Sequence, residues 1–398
     1  MVSYPNKRVC RLPFEGDLQE CTNCNACGQI CPRKCIKNKN GKIYLDEKRC
    51  ISCNLCVNVC PILNRSLYRC CYPKEAYAAW SLDKEDRKTS TSGGAASVLY
   101  QHALKSGWYI VGAAYNEELQ VELYVTNKKE RIQDFKQSKY VLSQTNNCYK
   151  RIKELLNNDI SVLFIGLPCQ VAGLLSYLRK PYEGLVTIDI ICHGTPSPQT
   201  LQDYIKSRDK HRKAVKLRFR EDNEFCFKLM DNSGNTIYKK YGRTDEYLAA
   251  FLEGLNYQEQ CYSCIYARPE RISDLTIGDF WGLGEKEPFC HPYTGAISLI
   301  LVNTDLGKAF LEQCKKNLFI EKRKVEEAIC GNAQLQHPTP CHKKHVEFSK
   351  KMQEGIAFSK AVRDVLHEEM ICEKEQLLRK RIRILGSKCK RIILRRAT

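Results

Sequence analysis

The chain has 398 residues, of which 43% are hydrophobic and 27% charged, with 24 cysteines and a formal net charge of +19. At about 100 to 200 residues per domain it has room for two or three cores, and this balance excludes a disordered chain and a fibrous repeat alike. Its longest apolar runs, Val162 to Leu167 and Gly295 to Val302, are of strand length, well short of the roughly 18 residues of a membrane-spanning helix.

The N-terminus carries no apolar stretch followed by a small-residue cleavage site, so a cleaved secretory signal is not expected. Cysteine abundance without such a signal points to metal before disulfides and to the reducing cytoplasm. The first motif is a repeat. Cys21-x2-Cys24-x2-Cys27-x3-Cys31-Pro32 recurs as Cys50-x2-Cys53-x2-Cys56-x3-Cys60-Pro61, each cysteine of the second copy lying 29 residues after its counterpart. Two-residue gaps let three thiolates hold three corners of a cubane, while the fourth cysteine, before proline, serves the other cluster. The assignment is Cys21, Cys24, Cys27 and Cys60 to one 4Fe-4S cluster and Cys50, Cys53, Cys56 and Cys31 to a second. Zinc also takes four thiolates from CxxC pairs, but seldom from this run used twice. Gly41 to Asp46 alternates as a short strand of the connecting hairpin. Residues 10 to 66 closely resemble a bacterial two-cluster ferredoxin domain, and two such clusters side by side move single electrons. Cys35, Cys70 and Cys71 lie outside the pattern and receive no role.

From Ala76 the pattern changes to helix and strand. Thr89-Ser90-Thr91-Ser92-Gly93-Gly94 precedes a helical stretch, Ala95 to Lys105, and strands follow at Trp108 to Tyr115 and Val121 to Thr126. A Ser/Thr-rich Gly-Gly turn entering a helix suits a phosphate, although a plain N-cap explains it equally well. Two strand-turn-helix units come next. Ile160 to Gly166 ends in Leu167-Pro168-Cys169 before a helix from Val171 to Arg179, and Leu185 to Ile191 ends in Cys192-His193-Gly194 before a helix near Ser197. Strands joined by a helix usually lie parallel and often adjacent, so Cys169 and Cys192 can converge past their carboxyl ends. Cys261-x2-Cys264, between helical Asp245 to Leu255 and strand-like Ile272 to Phe280, completes four thiolates for a third 4Fe-4S cluster. A structural zinc on the same residues, or unrelated buried cysteines beside a loop CxxC, remain alternatives.

Ser92-Gly93-Gly94, Ser138-Lys139-Tyr140-Val141, Gly166-Leu167-Pro168-Cys169-Gln170-Val171-Ala172-Gly173-Leu174, Cys192-His193-Gly194, Cys261-x2-Cys264 and Asp274-Leu275-Thr276-Ile277-Gly278-Asp279-Phe280-Trp281-Gly282 together resemble the coenzyme F420 hydrogenase/dehydrogenase beta subunit family, with the ferredoxin domain fused in front. The resemblance spans residues 10 to about 315. It implies an oxidoreductase with a flavin-binding α/β domain and an associated cluster. Ser92, Gly93 and Gly94 would lie in the flavin-binding loop, Lys139 and Tyr140 near the flavin phosphates, and Cys169, Cys192, Cys261 and Cys264 around the proximal cluster. FAD is the implied flavin, and coenzyme F420 or another two-electron carrier the substrate. The alternative is a non-catalytic electron-transfer subunit wiring a partner enzyme to ferredoxin. His193 reads as a buried or supporting histidine before a proton donor, and Asp279 and Trp281 as pocket lining or core.

The fold class expected is α/β (α+β overall). Its parts are a two-cluster domain over residues 10–70, the two parts of the flavin and iron-sulfur domain over 76–155 and 156–320, and a charged, mostly helical extension over 321–398. The cysteines and histidines from Cys330 to His345 match no zinc spacing and read as a loop. Leu378, Ile382, Leu385, Cys389 and Ile392 recur at spacings of 4, 3, 4 and 3, and Gln376 to Thr398 holds nine Lys/Arg and no acid. Such a basic amphipathic tail suits an acidic partner or the anionic inner face of a membrane, or packs on its own domain. The partner expected is a redox protein or ferredoxin, and no nucleic acid, since no recognised nucleic-acid module is present.

Overall fold

The computed structural model describes residues 12, 20–39, 42–221, 224–293 and 295–379. The cysteine repeat folds as two short helices, Ala26–Ile30 and Leu55–Asn58, around an antiparallel hairpin of β1 (Ile36–Lys39) and β2 (Lys42–Leu45), with Ile36 opposite Leu45.

The main sheet is built from β3 (Glu75–Ser81), β4 (Tyr109–Tyr115), β5 (Val121–Thr126), β6 (Val162–Gly166) and β7 (Leu185–Ile190) with three later strands. Between β7 and those strands come β8 (Lys216–Glu221), β9 (Glu224–Met230) and β10 (Thr236–Tyr241), which form a separate antiparallel sheet. The later three are β11 (Leu275–Asp279), β12 (Ser298–Val302) and β13 (Leu318–Arg323), and the main-sheet order is β13-β3-β12-β11-β7-β6-β4-β5. Its centre, β11-β7-β6-β4, is parallel, with Gly166 and Thr276 both paired to Asp189, and antiparallel strands flank it. The expected parallel pairing of the two strand-turn-helix units is present as β6 beside β7.

Strands covered on both faces read as continuous apolar runs, and β6 and β12 are buried along their whole length. Successive side chains divide between the faces. Leu163 and Ile165 join the core of the helices Ala95–Lys105 and Asp305–Cys314, whereas Val162 and Phe164 join that of Cys148–Leu156 and Pro168–Leu178. The second core also contains Cys24, Ala26 and Val59, so the cysteine module is packed into the body of the fold.

The chain divides into two compact units, one formed by residues up to Gln199 with Tyr257–Pro340, the other by Thr200–Asn256 with the chain from Cys341 onward. In the second unit Phe219 and Phe227 of the small sheet meet the rings of Tyr204 and Tyr247, which in turn meet Phe358. Ala249, Ala250 and Phe348 pack with Ala361, Val362 and Val365. Of the apolar seam expected near the C-terminus only Leu378 falls among the described residues, and it is exposed; the rest, with most of the basic tail, lies outside them. Among the described residues no helix is long and apolar enough to cross a membrane.

Candidate metal centres

The sequence repeat is also a repeat of backbone conformation. Asn23 and Asn25 take φ of 55° and 60°, and their counterparts 29 residues on, Ser52 and Asn54, take 53° and 58°. Left-handed residues are uncommon outside glycine, with asparagine enriched, and they bend the chain so that amides line a concavity suited to an anion.

Cys21, Cys24, Cys27 and Cys60 are brought together. Burial is the largest influence on the first three. It pushes Cys21 up to about 11 and Cys24 up to about 12, and Cys27 is driven well above the ordinary thiol value, with the charges of neighbouring members adding to each. Cys60 is raised by burial against the amides of Leu63 and Ile62. Four thiols whose ionisation burial opposes, three of which receive backbone N–H groups from Asn23, Ala26, Ile62 and Leu63, fit a group whose positive irons reverse that penalty.

The second set lines one pocket holding Cys31, Cys50, Cys53 and Cys56 together with Cys35. Burial opposes ionisation of Cys31, but the amide and thiol of Cys35 and the amides of Arg33 and Ile36 outweigh it and hold Cys31 below the ordinary value. The Cys31 and Cys35 sulfurs are 3.2 Å apart, and Cys35, pushed up to about 12 by burial and by Cys31, is the natural proton holder of the pair. Cys35 is therefore a fifth thiol at this pocket, a place its sequence position did not reveal.

Cys169, one helical residue into Pro168–Leu178, and Cys192, two residues beyond β7, meet Cys261 and Cys264. Burial drives Cys169 far up, and the next contributions come from Cys192, Cys264, Cys261 and, from the cysteine module, Cys24. Burial also takes Cys192 up to about 12 and Cys261 up to about 11, opposed by the amides of Gly194 and Thr195 respectively. Cys264 is raised by burial against the amides of Tyr266 and Ala267. The donor set thus matches that of the module, in thiols, burial and inward amides. No group of three or more His, Cys, Asp or Glu among the described residues is drawn tightly enough to hold a single metal ion; the thiols are neighbours at the longer range over which their charges act.

Residues without a motif join this site to the module. Gly173, one helical turn after Cys169, faces Cys24: a Cβ there would stand 2.8 Å from the Cys24 Cβ and 2.8 Å from the Tyr149 hydroxyl. That hydroxyl donates to the Gln170 carbonyl at 3.0 Å. Asn23 donates to Gln258 at 2.6 Å, and Gln258 donates to the Thr195 hydroxyl at 3.2 Å. Tyr257 packs on Gly194 and is raised by burial first, then by Cys192, Tyr262, Cys261 and Tyr140, so it lies within electrostatic reach of both the four-cysteine site and Tyr140.

The segments holding Ser92, Gly93, Gly94, Lys139 and Tyr140 also come together. The Ser138 amide donates to Thr91 at 2.9 Å, and Ser92 bonds Ser298 at 3.2 Å. Gly93 runs so close over β3 and β12 that a Cβ would lie 2.4 Å from the Ala79 carbonyl. The Lys139 ammonium donates to the Lys136 and Gln137 carbonyls, and burial lowers it to about 7. Asp86, bonded by Ser97 and paired with Lys136 at 2.6 Å, occupies the space by the first turn of Ala95–Lys105. The His193 carbonyl accepts from Thr339, and Trp281 is 48% exposed. Cys330 and Cys341 are exposed, and His345 bonds the Leu255 carbonyl.

The family models for the coenzyme F420 hydrogenase/dehydrogenase beta subunit match in two parts, the N-terminal model over residues 76–150 and the C-terminal model over 159–328. A 4Fe-4S binding domain matches residues 43–63, which contain the second cysteine run. No curated protein matches the chain. Solved structures that match include a chain of the F420-reducing NiFe hydrogenase complex from Methanosarcina barkeri in a xenon derivative, 17% identical, with a TM-score of 0.45 over 72% of this chain and 94% of that one. The chain belongs to the coenzyme F420 hydrogenase/dehydrogenase beta subunit family, as an iron-sulfur, electron-transferring member of that oxidoreductase family.

Proposed function

We propose that the chain is an iron-sulfur flavoprotein oxidoreductase. Cys21, Cys24, Cys27 and Cys60 hold one 4Fe-4S cluster, and Cys31, Cys50, Cys53 and Cys56 a second. Cys169, Cys192, Cys261 and Cys264 hold a third, and Ser92, Gly93, Gly94, Lys139 and Tyr140 border FAD. A flavin exchanges electrons in pairs and a cluster singly, so together they convert between two-electron and one-electron carriers. The two-electron carrier is a deazaflavin such as coenzyme F420 or another hydride carrier, and the one-electron partner is a ferredoxin or a redox protein of a larger assembly.

The observation that carries this reading is the contact of Cys24 with the Cys169 site, because it makes two thiolate sets neighbours inside one core. Gly173 permits that approach, Tyr149 fills the space beside it, and both keep water from the path. Tyr257 continues the series toward Tyr140. Against the flavin stands a specific feature: Lys139 is satisfied by its own loop, and the Asp86 carboxylate, bonded to Ser97 and Lys136, stands beside Gly94 where a phosphate would approach the helix. This favours the second reading, a non-catalytic relay serving a partner enzyme.

Iron, sulfide, zinc and acid-released flavin per chain, measured on protein purified without oxygen, decide between them. About twelve irons and one FAD support the first reading, and about eight irons without flavin reduce the chain to a ferredoxin-like relay. Cys192→Ser and Cys264→Ser are expected to lose about four irons each; full iron and normal turnover in either would sink the third site.

A further inference from the structure

We propose that Arg271 is the positioning residue of the four-cysteine site: its buried guanidinium ties the Cys264 segment to the strand end bearing Cys192, and its charge, set against Asp189, tunes the reduction potential of the centre held there. The inference rests on the reading that Cys169, Cys192, Cys261 and Cys264 hold an iron-sulfur cluster.

Arg271 is 2% exposed and Asp189 0%. Nη2 donates to Asp189 Oδ1 at 2.9 Å, Nη1 to the carbonyls of Tyr266 at 3.0 Å and Arg268 at 3.2 Å, and Nε to Thr276 Oγ1 at 3.2 Å. The partners come from three parts of the site. Tyr266 follows Cys264 by two residues, Asp189 precedes Cys192 by three, and Thr276 sits beside Asp189 in the sheet. The backbone of Arg271 adds a fourth link, exchanging two 2.8 Å bonds with Cys71 at the exit of the cysteine module. A planar fork with fixed donors can span these groups, whereas an ammonium cannot hold them all in register.

The charge matters beyond the geometry. The buried Arg271 charge lies within electrostatic reach of both Cys192 and Cys264. A centre gains one negative charge on reduction, so a nearby buried cation stabilises the reduced state and a nearby buried anion destabilises it. Asp189 and Arg271 therefore act in opposite directions, and among the described residues Asp189 Oδ2 has no hydrogen-bond partner to dilute its charge.

The test is a redox titration followed by electron paramagnetic resonance on the full chain, with iron counted for each protein. The signal of the third centre is identified as the one lost in Cys192→Ser. Arg271→Gln is expected to shift the midpoint of that signal to more negative potential and Asp189→Asn to more positive, with the other two centres unmoved. Arg271→Lys should keep the midpoint near wild type but release iron faster on dilution. A residue with only a packing role would not give shifts of opposite sign. An unchanged midpoint in both variants, or a shift in the same direction, overturns the proposal while twelve irons in the wild type keep the site itself intact. A wild type with eight irons that Cys192→Ser leaves unchanged overturns the site and the proposal with it. If Arg271→Gln does not fold, the Asp189→Asn shift and the Arg271→Lys iron loss decide, and absence of both counts against it.

Discussion

Gly173 and Lys139 are the residues whose roles follow most directly from what surrounds them. A side chain at 173 would collide with Cys24 and Tyr149, neither at the flexible end of a long chain. Overpacking of this kind costs about 1–3 kcal/mol, so Gly173→Val should lower the thermal midpoint by several degrees and reduce the iron bound per chain; wild-type values of both would refute the close contact. Lys139 is held neutral down to about pH 7 by burial. Below that pH the folded and unfolded chains both carry the proton, and the folded one bears the desolvation. Between about 7 and 10 only the unfolded chain keeps the proton, so this lysine's penalty fades as pH rises. Lys139→Met should therefore raise the thermal midpoint most at about pH 6 and have little effect near pH 10, as scanning calorimetry can check.

Among the elements, the helix Glu246–Leu252 depends on one buried cap. Asp245 accepts from the Leu248 amide at 2.9 Å, from Tyr204 at 2.6 Å and from Tyr238 at 3.0 Å. Burial nevertheless outweighs these bonds and raises Asp245 to about 6. A carboxyl raised in the folded state contributes its stability below its unfolded value near 4 and loses it as pH climbs through about 6. Asp245→Ala removes the cap and the carboxylate that accepts from Tyr238, leaving Tyr204 to Glu246 at 2.9 Å, a loss of about 0.5–2 kcal/mol from the cap alone. Asp245→Asn keeps an acceptor and should flatten the stability profile between pH 4 and 6. Denaturant midpoints across that range measure both effects, and an unaltered profile in Asp245→Asn would contradict the assignment.

At the scale of the whole chain, the cysteine module is not an appendage. Cys24, Ala26 and Val59 share a core with Tyr149, Val171 and Phe164, and Gln29 bonds the Tyr149 amide at 2.8 Å. A chain begun at Tyr72 would expose that core, so it is expected to melt lower and aggregate more than the full protein in light-scattering scans. Equal behaviour would mean that the module folds beside the body without supporting it. The charge of +19 also predicts that exchange with an acidic redox partner slows as salt rises, because the attraction is screened beyond roughly 10 Å at 0.1 M.

Local chemistry alone determined several of the elements and the candidate ligands. The 29-residue cysteine repeat, the apolar runs of β6 and β7, and the glycines at 93 and 94 are short-range patterns, and the helix Ala95–Lys105 and the strand Val121–Thr126 have the boundaries those patterns predict. The parallel pairing of β6 with β7 was legible as well, because right-handed crossovers leave few other arrangements. What only the tertiary structure decided depends on residues far apart in the chain. Cys24 meeting Cys169 across Gly173, Tyr257 set near both Cys192 and Tyr140, and Arg271 joining Cys71 and Asp189 leave no local trace. An arginine, a tyrosine or a glycine has no spacing rule of its own, and its role arises from the burial and charge that the fold assembles around it.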